Sequence, residues 1–305
     1  MVKLRKDKQL LLGAHISIAG GLEKSIIRGE NLSLTCIQIF TKSNRQWKVK
    51  NLTEKDISLF TEKWKYSFIK YIIAHASYLI NLGSPEKEIA TKSTNSLAIE
   101  LERCEQLKIP YLVFHPGSRQ NMQEDECLKQ IAYSINEVIE KVPGKSILVI
   151  ENMAGQGSNV CYNFQHLAQI LKHIKIKKRV GICFDTCHAF AAGYDFRNKE
   201  SYENMWKEFN DIIGIKHVKV IHLNDSQKIL GSHIDRHESI GKGKLGKEAF
   251  DLIMNDKNFI DVPKILETPV NQETDYSKDL RLLIKTLSPT NRLLARKTPL
   301  KVYFK

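Results

Sequence analysis

The sequence predicts a single α/β domain, a (β/α)₈ barrel with a metal cluster at the C-terminal mouth of its strands. Three observations support this prediction: eight short apolar runs, amphipathic stretches between them, and polar residues where the runs end. Strands buried on both faces are continuously apolar, and a helix follows each strand in such a barrel. A doubly wound sheet would give the same alternation with fewer strands, so the number of runs favours the barrel.

The runs have the length of strands, and the stretches between them repeat apolar residues at helical spacing. The predicted strands are Leu10–His15, Cys36–Phe40, Tyr71–His75, Tyr111–His115, Ile147–Glu151, Val180–Asp185, Val218–His222 and Lys264–Glu267. The predicted helices include Glu86–Leu107, Glu124–Val142, Asn163–Ile174, Tyr202–Ile213, Lys247–Met254 and Tyr276–Leu287. No Pro/Gly/Ser-rich linker breaks this order, which predicts one domain over residues 1–290, followed by a basic tail at 291–305.

Composition places the chain among folded enzymes with a basic surface. It has 305 residues, of which 42% are hydrophobic, and a formal net charge of +13. Such a charge favours a polyanionic partner, although it also serves solubility. The six cysteines show no paired framework, the N-terminal apolar run is too short for a signal peptide, and no stretch reaches membrane-spanning length. We therefore expect a reducing, intracellular location, in the cytoplasm with the nucleoid or an organelle as alternatives, and no membrane partner.

The ends of the runs carry the chemistry. Three of the middle runs end in a histidine and three end in a carboxylate. These residues are His75, His115 and His222, and Glu151, Asp185 and Glu267. Because the C-terminal ends of barrel strands face one mouth, we expect the six side chains to converge there.

Three further residues extend this set. His188 lies three residues after Asp185, in the predicted loop, and Asp235 and His237 stand in the loop segment SHIDRHESIGKG. A single strand-end histidine is more often a hydrogen-bonded scaffold residue than a ligand. Nine such groups in one mouth instead favour metal binding, because four clustered carboxylates repel one another unless cations intervene. Imidazole and carboxylate ligands suit zinc, with manganese or iron as alternatives, and nine ligands imply two or three ions.

Cys183 and Cys187 flank Asp185 and resemble a metal-binding pair. We interpret both as packing residues of a reduced site, because the imidazole and carboxylate set needs no thiolate.

Long motifs in the chain resemble those of the endonuclease IV family of zinc-dependent apurinic/apyrimidinic endonucleases. In order, they are FTKSNRQW (40–47), HASYLINLG (75–83), FHPGS (114–118), IENMAGQG (150–157), DTCHAFAAGYD (185–195), HLNDS (222–226), DRHESIG (235–241) and LETP (266–269). The resemblance extends from about residue 13 to 287. It implies a (β/α)₈ barrel that holds three zinc ions, with Mn²⁺ or Fe²⁺ in part.

Carried over by motif, the resemblance assigns nine metal ligands. His75, His115 and Glu151 resemble the ligands of a first zinc, with Glu151 bridging to the second. Asp185, His222 and Glu267 resemble the remaining ligands of the second. His188, Asp235 and His237 resemble those of the third. Ala76 and Met153 differ from the residues that are common beside these ligands in the family. This predicts altered hydrogen bonds between the ligands and the residues around them.

The implied reaction is cleavage of double-stranded DNA on the 5′ side of an abasic site. It leaves a 3′-hydroxyl and a 5′-deoxyribose phosphate, and the same centre would trim blocked 3′ ends. Glu151 is the predicted catalytic residue, because it would orient or deprotonate the attacking water as well as bridge the ions.

Loop residues are predicted to contact the DNA. Arg45, Tyr78 and Leu79 match positions that enter the duplex around the extruded abasic nucleotide, where Tyr78 or Leu79 would replace lost stacking. Lys242 and Lys244 lie between glycines in IGKGKLG and are predicted phosphate contacts. For Arg45 the alternative is a solvated loop residue, and for Tyr78 and Leu79 it is core packing.

Two other functions remain open at this stage. The same barrel serves metal-dependent sugar isomerases, and a non-catalytic DNA-binding protein can use structural zinc. We expect a monomer. The basic tail, NRLLARKTPLKVYFK, is interpreted as a disordered arm, an extra DNA contact or a docking strand.

Overall fold

Eight parallel strands close into a barrel in the computed structural model, which describes residues 9–304. The barrel strands are β1 (Leu12–His15), β2 (Cys36–Phe40), β3 (Tyr71–His75), β4 (Tyr111–Phe114), β5 (Ile147–Glu151), β6 (Val180–Asp185), β7 (Val218–Leu223) and β10 (Lys264–Leu266). Strands β1 to β7 pair with their neighbours in chain order, and β10 closes the ring between β7 and β1. The predicted barrel is confirmed, and each predicted run matches one of its strands to within two residues at either end.

The parallel register aligns the polar strand ends. His75 pairs with Phe40 and Val113 on the two neighbouring strands. Asp185 pairs with His222, and Glu151 pairs with Cys183. Because neighbouring strands end at the same level, their last side chains face one mouth of the barrel.

Helices surround the barrel. Within residues 9–304 they are α1 (Leu22–Asn31), α2 (Glu54–Lys65), α3 (Lys87–Leu107), α4 (Glu124–Lys141), α5 (Phe164–His173), α6 (Thr186–Ala192), α7 (Lys199–Ile212), α8 (Lys247–Asn255), α9 (Tyr276–Lys285) and α10 (Pro289–Arg296). The six predicted helices correspond to α3, α4, α5, α7, α8 and α9. Side-chain caps begin several of them; Thr53 and Asp56 form a capping box at α2, and Asn163 caps α5.

The position of His188 differs from the prediction. The sequence predicted a loop after Asp185, but Asp185 is the N-cap of α6, and His188 lies in that helix. The Asp185 carboxylate accepts a hydrogen bond from the His188 backbone N–H at 2.8 Å. An Asp at a strand end is also a strong N-cap, so the strand passes into a helix without a loop.

A short hairpin follows β7. Strand β8 (Asp225–Ser226) pairs antiparallel with β9 (His237–Glu238). His237 therefore lies on a strand, whereas the sequence predicted a loop. The pairing fixes the base of the 227–236 segment, which carries Asp235, beside the end of β7.

Apolar side chains fill the inside of the barrel and the space between strands and helices. Inside the barrel, each strand contributes one residue to an apolar layer, and for β1 this is the residue just before it. The layer consists of Leu11, Cys36, Ile73, Val113, Val149, Cys183, Val220 and Ile265. All six cysteines are buried and free. No helix of residues 9–304 is long and apolar enough to cross a membrane.

The basic tail packs on the barrel. Residues 289–296 form α10, and Pro299–Phe304 form a 3-10 helix. Ala295, Leu300 and Tyr303 are buried, and the Tyr303 hydroxyl donates to the Leu32 carbonyl at 2.7 Å. Leu32 follows α1 and precedes β2, so the contact lies at the end of the barrel opposite the polar mouth. For residues 291–304 the disordered arm is excluded, and the docked segment is helical rather than a strand.

Candidate metal centre

Glu151, at the end of β5, lies at the centre of the polar mouth. Its carboxylate is fully buried, and its Oε2 lies 3.3 Å from Nε2 of both His75 and His115. Its Oε1 lies 3.0 Å from Nδ1 of His222 and 3.3 Å from Nδ1 of His188. One carboxylate therefore contacts imidazoles from three strand ends and one helix.

A second group surrounds His222 on β7. Its Nδ1 lies 3.2 Å from Glu267 Oε2 and 3.8 Å from Asp185 Oδ2. Ligand atoms of Glu151, Asp185, His222 and Glu267 all lie within 4.8 Å of one another. Four oxygen and nitrogen donors that converge in this way can surround one divalent ion.

A third group is formed by His188 of α6, His237 of β9 and Asp235 of the segment between β8 and β9. Asp235 Oδ2 lies 3.2 Å from Nε2 of His188, and Asp235 Oδ1 lies 3.3 Å from Nε2 of His237. Nε2 of His237 also lies 3.9 Å from Asp185 Oδ2. The structure therefore brings all nine predicted ligand residues into one connected cluster.

Hydrogen bonds to neutral oxygens fix the orientation of four imidazoles. Carbonyl and amide oxygens can only accept, so the facing ring nitrogen carries a hydrogen; in the neutral ring that a metal ligand requires, the other nitrogen then keeps the lone pair. The contacts are His75 Nδ1 to Ala76 O at 2.7 Å, His188 Nδ1 to Asn152 O at 2.9 Å, His237 Nδ1 to Glu267 O at 3.3 Å and His222 Nε2 to Gln38 Oε1 at 2.9 Å. In each ring the nitrogen left with the lone pair faces the carboxylates, as a metal ligand would.

Two of these nitrogens test whether the cluster fits an ion. Nε2 of His188 and Nε2 of His237 are buried and have no hydrogen-bond partner within residues 9–304, although the Asp235 carboxylate is close. Buried polar atoms are normally paired. Donors of a tetrahedral zinc with bonds of ~2.0 Å lie about 3.3 Å apart, which matches the separations from Asp235. The residues present fit a divalent cation.

The electrostatics of the cluster favour a cation. Burial opposes ionisation of Glu151, but the surrounding imidazoles of His222 and His115 hold the pKa of its carboxyl well below the usual range. Burial likewise opposes a charge on His188, yet Asp185 and Asp235 raise its pKa well above the ordinary value. The carboxylates thus attract positive charge into a buried site, and a bound metal ion would supply it.

Two buried thiols lie beside the cluster. Cys183 lies near Glu151 and His222, and Cys187 lies near Asp235 and His237. Burial raises the pKa of each thiol to about 12. Cys183 belongs to the inner apolar layer of the barrel, and the Cys187 thiol donates to the Arg236 carbonyl at 3.6 Å, which supports the interpretation of both as packing residues.

Three amides and one histidine of the site were absent from the predicted set. Asn224 donates to Asp185 Oδ2 at 2.7 Å and accepts from the Glu267 backbone N–H at 3.0 Å. Asn152 accepts from the Asp185 N–H at 2.7 Å. Gln38 donates to Glu267 and lies 3.1 Å from His15 Nδ1. The sequence contained a signal for two of them: Gln38 is a polar residue inside the apolar run of β2, and His15 ends the first predicted strand.

The predicted DNA contacts Tyr78 and Leu79 lie on the rim. The side chain of Tyr78 is 55% exposed, and its ring packs against His75 and His115 at centroid distances of 5.5 and 5.6 Å. Leu79 is half-buried, and Arg45 is exposed on the loop after β2. Tyr78 also lines a cavity of about 520 Å³ together with ligand-set residues, including His115 and Glu267.

Lys242 and Lys244 are exposed on a loop that one buried carboxylate holds in place. Asp225 of β8 accepts backbone hydrogen bonds from Gly241 and Gly243 at 2.9 and 3.0 Å, and from Leu245 at 3.1 Å. A Cβ at Gly243 would lie 2.3 Å from that carboxylate, so glycine is required there. The loop is therefore attached to the same hairpin that carries His237.

The barrel fold and its cluster of imidazoles and carboxylates can now be compared with known proteins. The family described as xylose isomerase-like TIM barrel matches residues 30–286. The endonuclease IV of Thermus thermophilus superposes with a TM-score of 0.80 at 32% identity, covering 94% of this chain and 99% of that one. A D-tagatose 3-epimerase-like protein, at 19% identity and a TM-score of 0.69, covers 93% of this chain and 99% of its own and shares the fold alone.

Sequence relatives narrow the class. The probable endonuclease 4 of Chloroflexus aurantiacus is 44% identical over 276 residues, which cover 90% of this chain and 97% of that protein. The probable endonuclease 4 of Buchnera aphidicola is 48% identical over 260 residues, which cover 84% of this chain and 92% of that protein. The chain belongs to the endonuclease IV family.

Proposed function

We propose that the protein is a metal-dependent endonuclease that cleaves double-stranded DNA on the 5′ side of abasic sites. The observation that carries the proposal is the set of four oriented imidazoles whose lone-pair nitrogens face a common group of carboxylates. Family membership supports the reaction class, and the net charge of +13 suits a polyanionic substrate.

Three ions are proposed, each with its own ligand group. His75, His115 and Glu151 would hold the first, and Glu151 would bridge to the second. Asp185, His222 and Glu267 would complete the second, and His188, Asp235 and His237 would hold the third. Zinc suits these ligands best, and Mn²⁺ or Fe²⁺ is the alternative at part of the site.

Bound divalent ions activate water near neutral pH and neutralise charge on phosphoryl oxygens. The residues supply orientation and proton transfer. Glu151 would align the attacking water and accept its proton, because its carboxylate stays ionised at the centre of the cluster. The water oxygen forms a bond to phosphorus as the bond from phosphorus to the 3′ oxygen breaks. The products are a 3′-hydroxyl and a 5′-deoxyribose phosphate, and the same displacement would remove blocking groups from 3′ ends.

The rim residues would select the substrate. Tyr78 and Leu79 would fill the space that an extruded abasic nucleotide leaves in the duplex, and Arg45 would enter from the neighbouring loop. The cavity of about 520 Å³ beside Tyr78 would receive the extruded sugar. Lys242 and Lys244 would contact backbone phosphates. The protein is proposed to act as a monomer.

One experiment tests this proposal. The purified protein is analysed for metal by elemental analysis and is incubated with a duplex that carries a single abasic analogue. We expect about three zinc ions per chain, and cleavage that stops with a chelator and returns with zinc. Metal-dependent interconversion of sugars without DNA cleavage would instead support the isomerase alternative. Bound zinc with DNA binding but no cleavage would support the non-catalytic alternative.

A further inference from the structure

A buried ion pair, Lys42 with Glu100, lies outside the metal centre. Lys42 follows β2, and Glu100 lies in α3. The Lys42 Nζ is 3.3 Å from Glu100 Oε1, and the two side chains are 3% and 1% exposed. Desolvating both charges costs several kcal/mol, so a buried ion pair is weak evidence for a gain in stability. The pair also contacts two loops, and these contacts indicate its role.

Lys42 stabilises the loop that carries Arg45. Its Nζ also donates to the Gln46 carbonyl at 2.9 Å, across the loop from residue 42 to 46. Arg103, one helical turn after Glu100, donates to the Lys50 carbonyl at 3.0 Å and to the Thr41 carbonyl. Helix α3 therefore fixes this loop at its beginning, middle and end, while Arg45 itself stays exposed.

Glu100 reaches the second loop as well. The same Oε1 that faces Lys42 accepts from the Ser77 backbone N–H at 3.2 Å. The Ser77 hydroxyl donates to the Asn44 carbonyl at 2.7 Å, which joins the two loops directly. Ser77 immediately precedes Tyr78, and Asn44 immediately precedes Arg45. One carboxylate oxygen thus contacts both loops, and each loop carries an exposed side chain on the rim.

We propose that the Glu100–Lys42 pair is a positioning device that sets Arg45 and Tyr78 in register before the duplex binds. The proposal rests on the function proposed above, which assigns these two residues to the substrate. Groups that are held in place before binding lose less conformational entropy when the partner arrives. The pair touches neither the substrate nor the reacting atoms, and it acts through the loops.

The experiment compares Glu100→Gln with Glu105→Gln on the same helix. Glu105 pairs with Arg179 at 3.4 Å and contacts neither loop, so it is the matched control for loss of a carboxylate from α3. Single-turnover incision of an abasic duplex is measured against enzyme concentration. Glu100→Gln is expected to raise the half-saturating concentration about tenfold and to leave the saturating rate within about twofold. Glu105→Gln is expected to leave both values unchanged.

Hydrogen exchange gives a readout that does not depend on activity. In the Glu100→Gln protein, exchange is expected to rise in residues 41–50 and 76–80, with metal content unchanged. Equal exchange in wild type and Glu100→Gln would overturn the proposal. So would a lower saturating rate with an unchanged half-saturating concentration.

A combined variant tests whether the pair acts through Arg45 and Tyr78. In an Arg45→Ala/Tyr78→Ala background, Glu100→Gln should add less than about a twofold further loss, because coupled residues are not additive. A full tenfold loss in that background would overturn the proposal. The proposed function fails separately, if the wild-type protein with its metal does not cut the abasic duplex.

Discussion

Gln38 and His222 are joined by a hydrogen bond of 2.9 Å between the Gln38 amide oxygen and His222 Nε2. The Gln38 amide nitrogen donates to Glu267 at 2.6 Å, and this contact fixes which end of the amide is oxygen. His222 must therefore carry its hydrogen on Nε2 and present Nδ1 to Glu151 and Glu267. A residue from β2 sets the tautomer of a proposed ligand on β7.

Loss of this contact should weaken metal binding. In Gln38→Leu, His222 and Glu267 lose a shared partner, and the affinity for the proposed second ion should fall about 10–100-fold. Metal retained per chain is measured against a series of chelator concentrations. Gln130→Leu is the control, because Gln130 bonds the Leu82 and Ser84 carbonyls instead. Equal metal retention in both variants would show that Gln38 does not orient the ligands.

The bridging role proposed for Glu151 gives a second prediction. Glu151→Gln keeps the size of the side chain but removes its charge, so incision of an abasic duplex should fall by at least about 10³-fold. Circular dichroism should show an intact fold. Glu137→Gln, which changes an exposed carboxylate paired with Lys141, should cut normally. Near wild-type incision by Glu151→Gln would reject the bridge.

A third prediction separates recognition from chemistry. Tyr78→Ala should reduce the preference for abasic over intact duplex, because the exposed ring acts on the distorted state with an extruded nucleotide. Metal content should not change. Tyr133→Ala is the control, since this tyrosine of α4 is 70% exposed. If Tyr78→Ala weakens binding to both duplexes equally, Tyr78 is a general contact or a packing residue.

The salt dependence of binding tests the basic surfaces. Lys242→Gln/Lys244→Gln should reduce the slope of log affinity against log salt by about 2, because each lost phosphate contact removes ~0.9. Lys297→Gln/Lys301→Gln should leave the slope unchanged, because the tail packs at the opposite end of the barrel. A flatter slope for the tail variant would revive the extra DNA contact. Single-turnover cleavage of bound substrate should respond little to salt in either variant.

Docking of the tail predicts its contribution to stability. Tyr303→Ala removes a buried ring, so it should lower the free energy of unfolding by roughly 3 kcal/mol. Tyr303→Phe removes only the hydrogen bond to Leu32 and should cost about 1 kcal/mol. Denaturant unfolding of both variants measures the difference. A loss below about 0.5 kcal/mol in Tyr303→Ala would show that the tail does not stabilise the barrel in solution.

The sequence alone determined the barrel and the six strand-end residues that cluster at its mouth. Strands buried on both faces are continuously apolar, so the polar residues that end them, such as Glu151 and Asp185, stand out. The parallel arrangement then requires those ends to share one mouth. Local pattern and strand direction were sufficient for this part of the prediction.

The tertiary structure decided how these residues are held. Gln38 and His222 are 184 positions apart, and no local pattern indicates that one fixes the tautomer of the other. The helix that carries His188 begins with the Asp185 side chain as its cap, through Oδ1, while Oδ2 of the same carboxylate faces His222 and His237. The Glu100–Lys42 pair and the docked Tyr303 likewise join distant segments. Such contacts form only when the barrel closes, because the strand order, and not the local sequence, brings the partners within hydrogen-bonding distance.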